Sequence, residues 1–185
     1  MKGLKTLDLI DCKIGDKGVQ SLSVQLMEAK FLNKLYITRN NITEIGANHL
    51  AMSLSSPTCN IKKLRLNKNW IKDEGLYKIL VPLGEHMMKV NKSTPYSSIM
   101  NLDVSDCKLT DGAGTSIVKF LKANPYVFKI RIGKNKINYK ILKKIEDMLD
   151  VNKNFNVQLH SSEIVTEYSK LVAYLDKNLK NEGKV

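Results

Sequence analysis

Apolar and polar residues alternate in a short stretch that recurs along the chain, each time ahead of a longer stretch with helical spacing. In LRLNKNWIKDEG, residues 64–75, two leucines flank one polar position, an asparagine follows three places later, and then come an isoleucine and a glycine. The alternation predicts a short strand whose two leucines share one face. Apolar residues four and eight places after the glycine predict a helix with one apolar face.

Five copies of this template follow one another, and they begin at Leu4, Leu32, Ile61, Ile99 and Val127. The start-to-start intervals are 28, 29, 38 and 28 residues, and the glycine is kept in three of the five copies. Ordering a residue costs about 1 to 2 kcal/mol, which the few apolar side chains of one copy cannot offset alone. The copies are therefore expected to stack and to bury one continuous core.

This template resembles the leucine-rich repeats of the ribonuclease-inhibitor type, over about residues 4–149. The resemblance implies an α/β fold, a right-handed solenoid shaped like a horseshoe. It places parallel strands on the concave face and helices on the convex face.

One polar position of the template falls at the bend between strand and helix, where buried backbone groups need partners. An amide supplies two donors and an acceptor in a small volume, and a thiol is a weaker substitute. We predict that these side chains form a structural ladder rather than a catalytic site: Cys12, Asn40, Asn69, Cys107 and Asn135. The glycine is expected to let the helix start close to the strand.

The chain, residues 1–185, is predicted to form a single domain with five regular repeats over about residues 4–151. The third helix is expected to end near Leu83, which leaves an insertion over about residues 84–98. This insertion is either a tolerated surface loop or a loop that contacts a partner or is phosphorylated.

Residues 152–185 are predicted to be a degenerate sixth repeat with a C-terminal capping helix. In that register Val157 and Leu159 take the strand positions and Ser162 takes the ladder position. The first repeat has no polar cap ahead of it, so its strand is expected to be an open edge or the start of a segment cut from a longer array.

Charge and composition narrow the class of partner. The formal net charge is +12, with 30 basic and 18 acidic residues, which is typical of nucleic-acid-binding proteins. However, 27 of the basic residues are lysine and 17 residues are asparagine, which we interpret in part as the codon usage of an AT-rich eukaryotic genome. Arginine is the better bidentate ligand for phosphate and is scarce here, so nucleic-acid binding is not favoured.

The cysteines and the absence of a long apolar run indicate the cellular compartment of the protein. No apolar run is long enough to span a bilayer, and the N-terminus lacks a signal-peptide stretch. Cys12 and Cys107 are expected at equivalent bends about 14 Å apart, which is too far for a disulfide. We therefore predict reduced, mostly buried cysteines and an intracellular site, cytoplasmic or cytoskeletal.

No group of residues has the spacing of an active site. His49, His86 and His160 lie in unrelated places, and none has a cysteine, histidine or carboxylate at metal-ligand spacing. There is no glycine-rich phosphate loop and no Ser-His-Asp or Cys-His motif in a recognisable context. We predict a protein without catalysis, metal or cofactor.

The strand positions that the template leaves free are expected to project from the concave face. At the strand centres they are Asp8, Tyr36, Arg65, Asp103, Arg131 and Gln158, and beside these lie Asp11, Arg39, Lys68, Asp106 and Lys134. Repeats one and four present acids, whereas repeats two, three and five present bases, including all three arginines. Two interpretations stay open: a solvated polar face, or a charge-patterned docking surface for an acidic segment of a partner.

If the second interpretation holds, the partner-binding residues are Tyr36, Arg39, Lys63, Arg65, Lys68, Asp103, Arg131 and Lys134. Trp70, the single tryptophan, either packs on a neighbouring repeat or anchors the interface.

We therefore predict a non-catalytic protein-protein interaction module, a scaffold or adaptor that acts as a monomer.

Two family-level alternatives remain. Five repeats and a terminal helix also resemble the actin-capping domain of tropomodulins, and actin is acidic. Ran GTPase-activating proteins use such repeats too, but they resemble this chain less, because they carry many more repeats and a strongly acidic tail.

Overall fold

Strands and helices alternate along the whole of the computed structural model, which describes residues 3–89, 99–124, 127 and 129–158. The elements in chain order are β1 Thr6–Asp8, α1 Gly15–Leu26, β2 Lys34–Tyr36, α2 Glu44–Leu54, β3 Lys63–Arg65, α3 Lys72–Lys89, β4 Asn101–Asp103, α4 Asp111–Ala123, β5 Lys129–Arg131 and α5 Tyr139–Gln158. Each strand-helix pair is one copy of the sequence template, so the predicted α/β repeat fold is confirmed.

The five strands form one parallel sheet in the order β1-β2-β3-β4-β5. The middle residue of each strand is paired in register with the middle residues of its neighbours, as Leu35 with Leu64 and Leu64 with Leu102. Because side chains alternate along a strand, these middle residues face the helices and the flanking residues face away from them.

The core lies between this sheet and the row of helices. Leu35, Leu64 and Leu66 are fully buried, and so are Leu50 and Ile79 of α2 and α3. The equivalent residues of the first and last strands are only partly buried. Each repeat therefore contacts mainly its two neighbours, as expected of a solenoid.

Buried amides cross-link successive bends. Asn69 accepts hydrogen bonds at Oδ1 from the backbone N–H groups of Asn40 at 2.8 Å and Ile42 at 3.1 Å. Its Nδ2 donates to the carbonyl oxygens of Ile37 at 2.9 Å and Leu66 at 2.8 Å. One side chain thus satisfies four backbone groups in two repeats.

The two cysteines of this ladder have different environments. Cys107 is buried, and its thiol lies 3.2 Å from the carbonyl oxygen of Leu66. Burial raises the pKa of the Cys107 thiol to about 12, against a smaller opposite effect of the Asn69 backbone N–H. Cys12 is exposed, so the prediction of burial is wrong there, because Cys12 follows the edge strand β1.

Carboxylates at the helix starts form a second set of links that the sequence analysis missed. Asp16, in the first turn of α1, accepts from the backbone N–H of Thr43 at 2.8 Å and from its hydroxyl at 2.7 Å. Asp111 does the same for the backbone and side chain of Asn138, at 2.7 and 2.6 Å. The signal was available, since an acid stands four places after the ladder residue in four of the five copies.

The template glycine serves contact between helices as well as the bend. A Cβ placed on Gly75 would lie 2.9 Å from Cγ2 of Ile71, in its own bend, and 3.0 Å from both the Cα of Glu44 and the Cβ of Ala47 in α2. The contact with Ile71 is shorter than real Cβ contacts, and the two contacts with α2 are tighter than most, so glycine at this position favours the close approach of α3 to α2.

Two helices run further than the template predicts. α3 continues past Leu83 to Lys89, so the first six residues of the predicted insertion are helical, while residues 90–98 lie outside the described part. α5 continues to Gln158, which places Val157 and Gln158 in a helix rather than on a sixth strand. No glycine or proline interrupts residues 139–158, so nothing in the backbone ends that helix earlier. The rest of the predicted sixth repeat lies outside the described residues.

Replacing Cys107 tests the ladder directly. Cys107→Asn restores the amide used by the other buried rungs, and we expect unfolding free energy within about 1 kcal/mol of the parent. Cys107→Leu adds volume and removes the polar contact, so we expect a loss of about 1 to 3 kcal/mol. Urea unfolding followed by circular dichroism measures both, and a leucine variant at least as stable as the asparagine variant would contradict a ladder role.

Thiol accessibility should follow the burial of the three cysteines. At pH 8 in the folded protein, an alkylating reagent should modify Cys12 at least tenfold faster than Cys59 or Cys107, because burial also raises the pKa of the Cys59 thiol. Peptide mass spectrometry over a time course gives the three rates. Equal rates in the native state, with the expected rise for all three in urea, would show that the bends are open.

Candidate functional site

Three rows of side chains project from the face of the sheet that lies away from the helices, here called the concave face. The strand register defines the first row as Thr6, Lys34, Lys63, Asn101 and Lys129, and the central row as Asp8, Tyr36, Arg65, Asp103 and Arg131. The turn row, just beyond the strands, is Asp11, Arg39, Lys68, Asp106 and Lys134. All eight partner-binding residues predicted from the sequence lie in these rows, whereas Gln158 does not.

The turn row is held in one unusual backbone conformation. Its five residues all have positive φ, between 54° and 60°, although none is glycine. Each immediately precedes a ladder residue. In the first four repeats its backbone N–H donates across to the next repeat, as Arg39 does to Asn67 at 3.1 Å. Since this region is costly for non-glycine residues, the repeated bonds and the ladder must hold it. The charged side chains are therefore presented from a fixed backbone.

Arg65 lies at the middle of the central row and stacks on an aromatic ring. Its guanidinium carbon is 4.5 Å from the centroid of Tyr36, and Lys63 Nζ is 5.6 Å from the same ring. Such cation–π contacts are worth roughly 0.5 to 1 kcal/mol at exposed sites. Arg65 Nε is shielded from solvent and has no hydrogen-bond partner among the described residues.

Residues of opposite charge are neighbours in adjacent repeats of this face. In the described part of the chain, only one such pair forms an ion pair. Arg39 and Asp11 form an ion pair at 3.3 Å. Arg65 is the register partner of Asp103, and Asp103 of Arg131, but neither pair makes an ion pair.

The central-row acids also have a local role. Asp103 Oδ1 accepts from the Ser105 backbone N–H at 3.2 Å, and Asp8 Oδ1 from that of Ile10 at 3.1 Å. Each carboxylate thereby closes the turn that follows its own strand. One oxygen of each is engaged in this way, which leaves the other available to a partner.

Trp70 follows the ladder residue Asn69, in the bend between β3 and α3. Its side chain is 56% exposed, and its backbone N–H donates to the Ile42 carbonyl oxygen at 2.8 Å. The bend is therefore fixed while most of the indole faces solvent.

A second, apolar surface lies on the helical side. An open groove of about 280 Å³ between α2 and α3 is lined mainly by apolar side chains, among them Met52, Tyr77, Val81 and Pro82. Among the described residues that line it, Lys78 is the one with a charged side chain.

The described residues also bear on metal and membrane binding. Among them, no three histidine, cysteine or acidic side chains are grouped so that they could hold a metal ion. In the same part of the chain, none of the helices is both long enough and apolar enough to cross a membrane.

Comparison with known proteins finds the same kind of repeat. A family model described as Leucine Rich repeat matches residues 4–23 and 59–80. NACHT, LRR and PYD domains-containing protein 14 of Mus musculus is 25% identical over 162 residues, which cover 77% of this chain and 16% of the relative. The Ribonuclease inhibitor of Sus scrofa is 23% identical over 156 residues, which cover 71% of this chain and 33% of the relative. The chain thus spans a third or less of the length of these curated relatives.

Solved structures with this fold match most of the chain. The structure of Leiomodin-1 Actin-Binding Site 2 aligns with a TM-score of 0.67 and 14% identity, covering 91% of this chain and 90% of its own. The tropomodulin C-terminal domain of Caenorhabditis elegans aligns with a TM-score of 0.69 and 15% identity, covering 85% and 88%. The recurring template, the parallel sheet backed by helices and these matches show that the chain contains leucine-rich repeats similar to those of ribonuclease inhibitor.

Proposed function

We propose that this protein is a non-catalytic interaction module whose concave face binds an acidic segment of a protein partner. The leucine-rich repeat domain is commonly a protein-binding domain. The positive charge of this face supports an acidic segment as the part of the partner that it binds. The observation that carries the proposal is Arg65. Its guanidinium stacks on Tyr36, its Nε is shielded, and no described residue forms a hydrogen bond or ion pair with its two terminal nitrogens. A partner carboxylate is the group that such a donor set fits best.

The surrounding charges strengthen this assignment. Lys34 and Lys63 are register partners on adjacent strands, and Lys63, Arg65 and Lys68 follow one another along the third repeat. Two like charges about 5 Å apart repel by about 0.8 kcal/mol even at the dielectric constant of water. An acidic partner would turn this repulsion into attraction. The exposed Trp70, in the bend after β3, would add an apolar anchor if the partner extends that far, since one large side chain often contributes much of the binding energy.

A second candidate function, binding of actin, is favoured by one comparison. The matching leiomodin-1 structure is of an actin-binding site, and it shares the fold of this chain over 90% of its own length. At 14% identity the likeness extends to the fold alone, so actin is a candidate partner of the same face. Co-sedimentation with filaments, compared with binding to an acidic peptide, distinguishes the two functions.

We also infer an intracellular site, cytoplasmic or cytoskeletal. Cys107 is a buried thiol that contacts carbonyl oxygens, an arrangement compatible with reducing conditions.

Reversing two arginines should weaken binding without unfolding the protein. We expect Arg65→Glu with Arg131→Glu to reduce affinity for a labelled polyglutamate peptide at least fivefold, since exposed ion pairs contribute about 0.2 to 1 kcal/mol each and reversal makes them repulsive. Fluorescence anisotropy at low salt measures the affinity. Thermal unfolding should show only a small loss of stability, because the contact between Arg65 and Tyr36 is worth roughly 0.5 to 1 kcal/mol. Lys140→Glu with Lys144→Glu, on α5, makes the same change in net charge away from the sheet and serves as control. Equal affinity for both double variants would refute the assignment.

Salt should weaken the same complex. The Debye length shortens from about 10 Å at 0.1 M to about 3 Å at 1 M, so pairs between exposed charges lose most of their attraction. We expect the logarithm of the affinity of the parent protein to fall steadily with the logarithm of salt concentration, and the Arg65→Glu, Arg131→Glu variant to show a shallower slope. Identical slopes would show that these two arginines are outside the interface.

A further inference from the structure

The last three repeats present an ordered pattern of charge, basic, acidic and basic. In the central row this is Arg65, Asp103 and Arg131, which are register partners on β3, β4 and β5. In the turn row the same order is Lys68, Asp106 and Lys134. The central row and the turn row therefore show the same order of charge across β3, β4 and β5.

These six charges remain unpaired among themselves in the described structure, although ion pairing between neighbouring repeats is possible on this face. The pair of Asp11 and Arg39 shows that it is, at 3.3 Å in the turn row itself. Arg65 instead stacks on Tyr36, on the side away from β4. Asp103 directs Oδ1 to the backbone N–H of Ser105. The charged residues of one repeat in the central and turn rows are here called a column, and the three columns are those of β3, β4 and β5. Together they offer both signs of charge to a partner.

We propose that the partner element is an α-helix that lies across β3, β4 and β5 and carries an acid, a base and an acid along one face. This inference rests on the proposed function and specifies which kind of partner segment the concave face takes. It gives Asp103 and Asp106 a role in recognition, opposite the base.

The spacing of the columns favours a helix over an extended peptide. Strands about 4.8 Å apart place β5 about 9.6 Å from β3. In a helix, residues i and i+7 are about 10.5 Å apart, with i+4 between them on the same face. In an extended peptide, three successive residues on one face span about 13 Å, which overshoots the third column.

The role of the acids separates this inference from simple charge attraction. If the partner is uniformly acidic, Asp103 and Asp106 repel it, and their neutralisation must strengthen binding. If the partner carries a base over them, the same neutralisation must weaken binding. Asparagine suits both positions, because it can still accept the Ser105 N–H bond and tolerates the positive φ of Asp106.

The experiment uses two alanine-based helical peptides that differ in one residue. The first carries glutamate, lysine and glutamate at i, i+4 and i+7, and the second has glutamine in place of the lysine. Each is titrated at low salt into the parent protein and into the Asp103→Asn, Asp106→Asn variant, with amide chemical shifts giving affinity and location. Asp147→Asn with Asp150→Asn, on α5, is the control with the same change in net charge.

We expect the parent and the control variant to bind the lysine peptide roughly two- to fivefold more tightly than the glutamine peptide, the size of effect that exposed ion pairs give. In the Asp103→Asn, Asp106→Asn variant this preference should disappear, and shifted amides should lie in repeats three to five. Equal or tighter binding of the glutamine peptide by the parent overturns the inference, as does the absence of any shift at millimolar peptide. If Arg65→Glu with Arg131→Glu weakens both peptides while no preference exists, the proposed function stands and only the charge order fails.

Discussion

The buried amide at the bend between strand and helix is the interaction on which the rest of this structure depends. A solenoid of short repeats must turn its backbone inside the core once per repeat, and each turn exposes N–H and C=O groups that water cannot reach. Asn69 satisfies four of them in two successive repeats, at distances of 2.8 to 3.1 Å. Leaving such groups without partners would cost about 1 to 3 kcal/mol each. The bend, and with it the stacking of repeats, is therefore held by side chains rather than by the sheet alone.

The same ladder determines how the concave face presents its charges. The residue before each rung is forced to positive φ, and in all five repeats that residue is charged, from Asp11 to Lys134. A side chain on a mobile loop would lose entropy on binding, whereas these start from a backbone already fixed in one conformation. Polar groups in the core thus restrain the charged residues of the turn row, which precede them by one position. Arg65 gains a comparable restraint from the ring of Tyr36.

A second polar connection, at the helix starts, couples neighbouring repeats from the other end of the bend. The carboxylate of Asp16 binds backbone and side chain of Thr43, and Asp111 binds those of Asn138. Acids in the first turn of a helix also interact favourably with its dipole. At α1 and α4, a carboxylate at the helix start and an amide in the neighbouring bend together hold one repeat against the next. This restraint keeps the columns of the concave face at the regular spacing that recognition of a helix would need.

Much of this molecule could be predicted from the sequence because its contacts are local and repeated. The spacing of leucines determined the α/β repeat fold, the inward and outward faces of each strand and the rows to which Tyr36, Arg65 and Asp103 belong, since period-two alternation leaves no other choice. Helix lengths were not determined in that way. α5 runs through Val157, because no glycine or proline ends it earlier and the repeat template is degenerate there. The tertiary structure alone decided which opposite charges pair. Arg39 meets Asp11 while Arg65 turns to Tyr36 and away from Asp103, because side-chain direction depends on the neighbours that stacking brings within reach.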